Sequence, residues 1–236
     1  MIFDEQTQQR AKEIIARYGR PRSALLPLLH LVQSAEGHVS LDGIAFCADQ
    51  LELTTAEVTA VVTFYSMYKQ RPCGEHLVSV CTNTLCAVLG GDEVYDALKA
   101  HLRVGHEETA GPPGEPGSVT LEHAECLAAC DFAPVLQVNY EYYDNQTPSS
   151  AVELVDALRR GERPAPSRGA PLTDWRTVEM ELAGYPDRLD NEVQGPSAAE
   201  ETLVGLELAN SRGWHAPDMP ERPPPLPSPP PPPEKK

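Results

Sequence analysis

The sequence predicts an α+β protein, with a helical bundle over residues 1–72, a small α/β domain over 73–161 and a mostly irregular, proline-rich extension over 162–236. Three observations carry that reading. Apolar residues recur at helical spacing up to Pro72, and short apolar strand-like runs replace them afterwards. Sixteen of the 24 prolines fall after Arg160, which marks the end of the folded part near Gly161.

Taken in order, residues 4–18 read as a first helix with Ile14, Ile15 and Tyr18 on one face and Gly19 as its stop. Ser23 is placed to cap a second helix carrying Leu25, Leu26, Leu28, Leu29 and Val32 and ending near Gly37. Ser40 is placed to cap a third, with Leu41, Ile44, Ala45, Ala48 and Leu51 inward. Thr54 with Glu57 is a capping box that opens a fourth, with Val58, Val61 and Val62. Beyond Pro72, residues 77–81 read as a strand and 85–101 as a helix that Gly90 and Gly91 can interrupt. After a Gly/Pro-rich loop come two strands at 119–122 and 135–139, with 140–143 placed to add one more across a short turn. Thr147 and Pro148 suit the N-cap and first position of a last helix, carrying Val152, Leu154, Val155 and Leu158 and closed by Gly161. Strand, helix, two strands and helix suit a sheet with helices on its faces. The extension holds one helical stretch near 198–210 and ends in a polyproline run over 223–233.

Composition excludes some functions. With 19 basic and 35 acidic side chains and a net charge of −16, the chain lacks the basic face that phosphate neutralisation needs, so no nucleic-acid partner is expected. No apolar run approaches the roughly 18–20 residues of a membrane span. The opening Met1-Ile2-Phe3-Asp4-Glu5 has neither the basic nor the apolar region of a secretory signal, and the expected location is cytoplasmic. The 14 arginines against 5 lysines hint at a GC-rich bacterial genome.

Six cysteines in such a compartment point to metal or redox chemistry rather than to disulfides. Two pairs stand out, Cys81-x4-Cys86 and Cys126-x3-Cys130, each following a strand. Backbone N–H groups from Thr82 to Cys86 could face whatever the first pair binds. Zinc ribbons use a gap of about two residues, as do thioredoxin-type dithiols. Wider gaps suit an iron–sulfur cluster, whose two irons each take two thiolates. Spacing alone leaves zinc and unliganded thiols open. Cys47 reads as a small core residue, Cys73 as incidental in a loop and His123 as a surface side chain. Glu122, Glu125 and Asp131 surround the second pair, either lowering a cluster's potential or forming a solvated rim.

Thr63-Phe64-Tyr65-Ser66, Val80-Cys81 with Cys86, Glu125-Cys126-Leu127-Ala128-Ala129-Cys130-Asp131, Ala133-Pro134 and Gln137-Val138-Asn139 together resemble the thioredoxin-like 2Fe–2S ferredoxins that serve as subunits of respiratory complex I. The resemblance covers residues 1–160 and departs at Ala128, where many members carry glycine. It implies a thioredoxin-like fold for the α/β domain and one 2Fe–2S cluster ligated by Cys81, Cys86, Cys126 and Cys130, with each close pair on one iron. It further implies a hetero-oligomeric NADH:quinone oxidoreductase whose peripheral arm lies at the inner face of the bacterial plasma membrane. There the cluster exchanges single electrons with the flavin of the adjoining NADH-binding subunit, alongside the other iron–sulfur subunits. No glycine-rich phosphate loop follows a strand, so hydride chemistry is expected elsewhere. Within the same class stands the small diaphorase subunit of an NAD-linked hydrogenase or formate dehydrogenase; from other classes stand a proline-rich scaffold and a zinc-binding interaction protein. The helical bundle, with the aromatic segment 63–68 at its end, is expected to dock the flavin-bearing neighbour, and residues 162–220, punctuated by Leu172, Trp175 and Val178, to strap over neighbouring subunits.

Overall fold

A computed structural model describes residues 3–186 and 199–218. Four helices come first: α1 (Glu5–Ala16), α2 (Leu25–Glu36), α3 (Leu41–Leu51) and α4 (Thr55–Phe64). Asp4, Ser40 and Thr54 cap α1, α3 and α4 through side-chain oxygens, and Thr54 closes the capping box with Glu57. Their common core holds Ala11, Ile14, Leu28, Leu29, Leu31, Val32, Cys47, Val58 and Val62.

Several inward positions differ from the periodic reading. Tyr18 is exposed because α1 ends at Ala16 and the Arg17 and Tyr18 N–H groups turn back to Ile14 and Ile15. Ser23 caps nothing, because Pro21 opens a 3-10 turn (Pro21–Ala24) that runs straight into α2. Leu26, Leu41 and Ala45 face solvent, Leu41 at 83% exposure. The start of α3 is drawn in at Gly43 instead: a Cβ there would lie 2.4 Å from Val32 Cγ1, so only glycine permits the approach.

Next come β1 (His76–Cys81), α5 (Thr84–Val88), α6 (Gly91–Leu102), β2 (Glu108–Ala110), β3 (Val119–Ala124), β4 (Leu136–Val138), β5 (Glu141–Tyr143) and α7 (Pro148–Arg159). The predicted helix over 85–101 is two helices, broken at Gly90, whose φ of 108° no other residue adopts easily. Strand β2 has no counterpart in the sequence reading, since three residues carry too little alternation to be seen. The sheet order is β2-β3-β1-β4-β5, with β1 and β3 parallel and the other pairs antiparallel. Every residue of β1 is buried, as expected of a central strand covered on both faces. Helices α6 and α7 pack on each other and on the sheet, closing a core of Val78, Val80, Leu98, Leu121, Leu136 and Val155. Thr147 caps α7 through a bond from the Ser150 N–H at 3.2 Å. Thr147→Ala is expected to cost about 1 kcal/mol, measured by urea unfolding.

The folded body does not stop at Gly161. A helix that sequence reading missed, α8 (Trp175–Leu182), is capped by Asp174 and packs along α2. Ala183 joins the helical core, Leu172 the sheet core, and Trp175 a junction with Cys73, Leu77 and Tyr140. Residues 170–183 therefore pack along this chain's own surface. Their apolar side chains found the partner surface that an isolated extension lacks.

A second unit, taken by itself, contains α9 (Glu200–Ser211). Leu203, Val204, Leu206 and Leu208 on it are all exposed, so it forms no core of its own. The polyproline run over 223–233 lies outside the described residues. Among the described residues, no helix is long and apolar enough to cross a membrane.

Candidate metal centre

Parallel pairing puts the carboxyl ends of β1 and β3 at one edge of the sheet, Cys81 opposite Ala124. In open α/β sheets that edge is where ligands bind. Cys81 is the last residue of β1 and Cys86 lies in α5, both 2% exposed; Cys126 and Cys130, in the loop after β3, are exposed. Cys126 Sγ and Cys130 Sγ lie 3.6 Å apart.

Hydrogen bonds fix the two cysteine segments to each other. The Cys81 N–H donates to Val135 O and the Thr82 N–H to Ala124 O, both at 3.1 Å. Asn83 Nδ2 donates to Glu125 Oε2 at 2.7 Å, tying the start of α5 to the second loop. Cys130–Phe132 forms a 3-10 turn, and the Tyr142 hydroxyl donates to Leu127 O at 2.7 Å. Of the Thr82–Cys86 N–H groups, that of Thr82 is spent on Ala124 O, while those of Thr84, Leu85 and Cys86 form the first turn of α5, which no side chain caps.

Close approach matters at two positions. A Cβ on Gly91 would lie 2.6 Å from Cys81 O and 2.9 Å from the Cys86 carbonyl, so glycine lets α6 close against the first pair. Ala128 sits between the second pair with φ of 58°, the left-handed region where a Cβ is strained. Ala128→Gly is therefore expected to stabilise the loop by about 0.5–1 kcal/mol, checked by thermal unfolding of the metal-free chain.

The thiols of Cys86 and Cys130 feel their cysteine neighbours. Burial is the main force pushing the Cys86 thiol up to about 11, with Cys81 and the charge of Cys130 adding and the Val135 N–H opposing. The hydrogen bond and then the charge of Cys126 push Cys130 up, with smaller contributions from burial and Cys81. Such crowding resists ionisation until positive charge is supplied, and a bound metal supplies it. Among the described residues no group of three or more His, Cys, Asp or Glu side chains is arranged to hold a metal ion; the four thiols come from two pairs, Cys81 with Cys86 and Cys126 with Cys130. That donor set fits a two-iron centre.

The remaining cysteines lie elsewhere. Cys47 is in the helical core, its thiol pushed up strongly by burial, and Cys73 packs on Leu77 and Trp175, pushed to about 12 by burial. His123 is exposed, its ring 4.2 Å from that of His106. Glu122 is not a solvated rim: it is buried, ion-paired with Lys69 and accepting from Ser79 Oγ at 2.6 Å. The register that pairs Ser79 with Glu122 turns the carboxylate into the face that meets Lys69, just beyond the helices.

The chain matches the thioredoxin-like 2Fe-2S ferredoxin family over residues 11–159. It belongs to that family. Among relatives, an NADH-quinone oxidoreductase subunit of Mycobacterium tuberculosis is 57% identical over 210 residues, 89% of this chain and 81% of the relative. A like-named subunit of Rickettsia bellii is 35% identical over 161 residues, 66% of this chain and 93% of the relative. An NAD+-reducing NiFe-hydrogenase, solved in its air-oxidized state, superposes with a TM-score of 0.50 at 16% identity, over 58% of this chain; this chain spans 23% of that one. At that identity the likeness is one of fold. The ferredoxin-family match ends at Arg159, short of the segment that carries α8.

Proposed function

We propose that this ferredoxin-family chain is the electron-carrying 2Fe–2S subunit of an NADH:quinone oxidoreductase. Cys81 and Cys86 would hold one iron, and Cys126 and Cys130 the other, of a single cluster. What supports the reading is that Cys81 ends β1 opposite Ala124 of β3, two residues before Cys126, and that Cys86 and Cys130 each feel the charge of a cysteine of the other pair. When bound, such a cluster takes up and returns one electron at a time. The chain's own part is to hold its thiols in place: Asn83–Glu125 and Tyr142–Leu127 brace the loops, and the buried first pair keeps water from that side.

The redox partner is proposed to be the flavin of an adjoining NADH-binding subunit, in a peripheral arm on the cytoplasmic side of the membrane. Two exposed apolar groups support a subunit that needs covering: Phe64, Tyr65 and Met67 at the end of α4, and Leu85, Val88 and Leu89 around α5 beside Cys86. Adding NADH to the purified complex should reduce the cluster, whereas the separated chain should respond to dithionite alone. Reduction of the separated chain by NADH, or co-purification with hydrogenase subunits in place of quinone-reducing ones, would overturn this assignment.

A further inference from the structure

The extension beyond the family match returns to the cysteine loop at one residue. Arg168 forms an antiparallel bridge with Tyr142 of β5. The Ser167 N–H donates to Tyr142 O, and the Asp144 N–H to Ser167 Oγ, both at 2.8 Å. The Arg168 guanidinium lies 4.2 Å from the ring centre of Tyr142 and 5.2 Å from that of Phe132, and donates to Asp144 Oδ1 at 3.1 Å. Both rings support the second cysteine pair. Phe132 ends the turn that Cys130 begins, and the Tyr142 hydroxyl holds the carbonyl of Leu127, next to Cys126. Both pack with Cys81, Cys86, Ala129 and Val135.

We propose that Arg168 is a positioning residue for the metal centre: stacked on Phe132 and Tyr142, it pins the loop carrying Cys126 and Cys130 and places a fixed positive charge on that loop's flank. The chemistry suits arginine. Its planar, permanently charged guanidinium stacks on aromatic faces, which a lysine ammonium does not. The interaction strengthens as the cation is desolvated, and this side chain is 21% exposed. With Arg168 gone, Asp144 would leave an unpaired carboxylate on the same flank, and added negative charge disfavours electron uptake.

This inference rests on the cluster reading, so its test has an arm that needs no cluster. Amide hydrogen exchange is measured on the metal-free chain for wild type, Arg168→Gln and Arg168→Lys. The Phe132 and Ala133 amides, bonded to Ala129 and Cys130, should exchange about tenfold faster in both variants, with β1 amides unchanged. In the cluster-loaded chain, an EPR-monitored redox titration should show a more negative midpoint for Arg168→Gln and recovery toward wild type for Arg168→Lys, which keeps the charge. Wild-type loop exchange in Arg168→Gln, or equal acceleration in β1, overturns the clamp. A wild type that binds no iron overturns the cluster reading instead, and the exchange arm stands apart from it.

Discussion

Replacing any one of Cys81, Cys86, Cys126 or Cys130 with serine is expected to remove most of the bound iron, while Cys47→Ala and Cys73→Ala leave it in place. Thiolate is the ligand an iron–sulfur centre requires, and a serine hydroxyl does not ionise near neutral pH. The two pairs carry different folding costs. Cys81 and Cys86 are buried, so a serine there also buries a hydroxyl, which costs about 1–3 kcal/mol if unpaired. Cys126 and Cys130 are exposed, and serine there should change the stability of the metal-free chain by no more than about 0.5 kcal/mol. Iron lost from Cys126→Ser or Cys130→Ser with an unchanged melting temperature of the metal-free chain isolates ligation from folding. Cys47→Ala empties a little volume from the helical core, so its effect should fall on stability alone. Iron and sulfide assays on the six variants check this. Full iron in all four serine variants would mean that the thiols are not the ligands.

Trp175→Ala is expected to destabilise the chain by about 3–5 kcal/mol, the range for deleting a buried aromatic side chain. Trp175 is 1% exposed, packs on Cys73, Leu77 and Tyr140, and donates from Nε1 to Gly37 O at 3.1 Å. Its backbone N–H donates to Glu75 O at 2.8 Å. One residue of the extension thus touches the end of α2, the entry to β1 and the hairpin after β4. Farther along, Glu179, fully buried, meets His30 of α2 at 2.6 Å. Trp175→Phe should retain much of the packing and lose the indole donor, at about 1 kcal/mol. Chemical denaturation distinguishes these values. Truncation at Gly161 should accordingly be severe: it uncovers Leu77 and the inner face of α2 together. An unchanged unfolding midpoint in Trp175→Ala would show that the strap is dispensable.

What could be read from sequence was local. Ser40, Thr54 and Thr147 announced their helices because an N-cap bond spans only three residues. The cysteine pairs were legible for the same reason, since each is a short spacing next to an apolar run. What lay hidden depends on partners distant in the chain. The parallel register of β1 and β3 decides that Cys81 ends beside Ala124, two residues before Cys126, and that Glu122 turns inward. Helix α8 read as part of an irregular strap because it is only eight residues long in a proline-rich stretch, and it packs on α2, more than a hundred residues earlier. Phe132, Tyr142 and Arg168 had no motif to mark them; they are joined by ring contacts made only once the extension has folded back. Ala128 did carry a signal, as an alanine where glycine is common, and its positive φ gives the reason.

This chain is proposed to hold one two-iron cluster on four thiols. The cluster is tested for most directly by low-temperature EPR of the dithionite-reduced chain, with iron, acid-labile sulfide and zinc measured on the same sample. The predicted result is an axial or rhombic signal from a reduced 2Fe–2S centre with about two irons and two sulfides per chain. Stoichiometric zinc in an EPR-silent sample would contradict it.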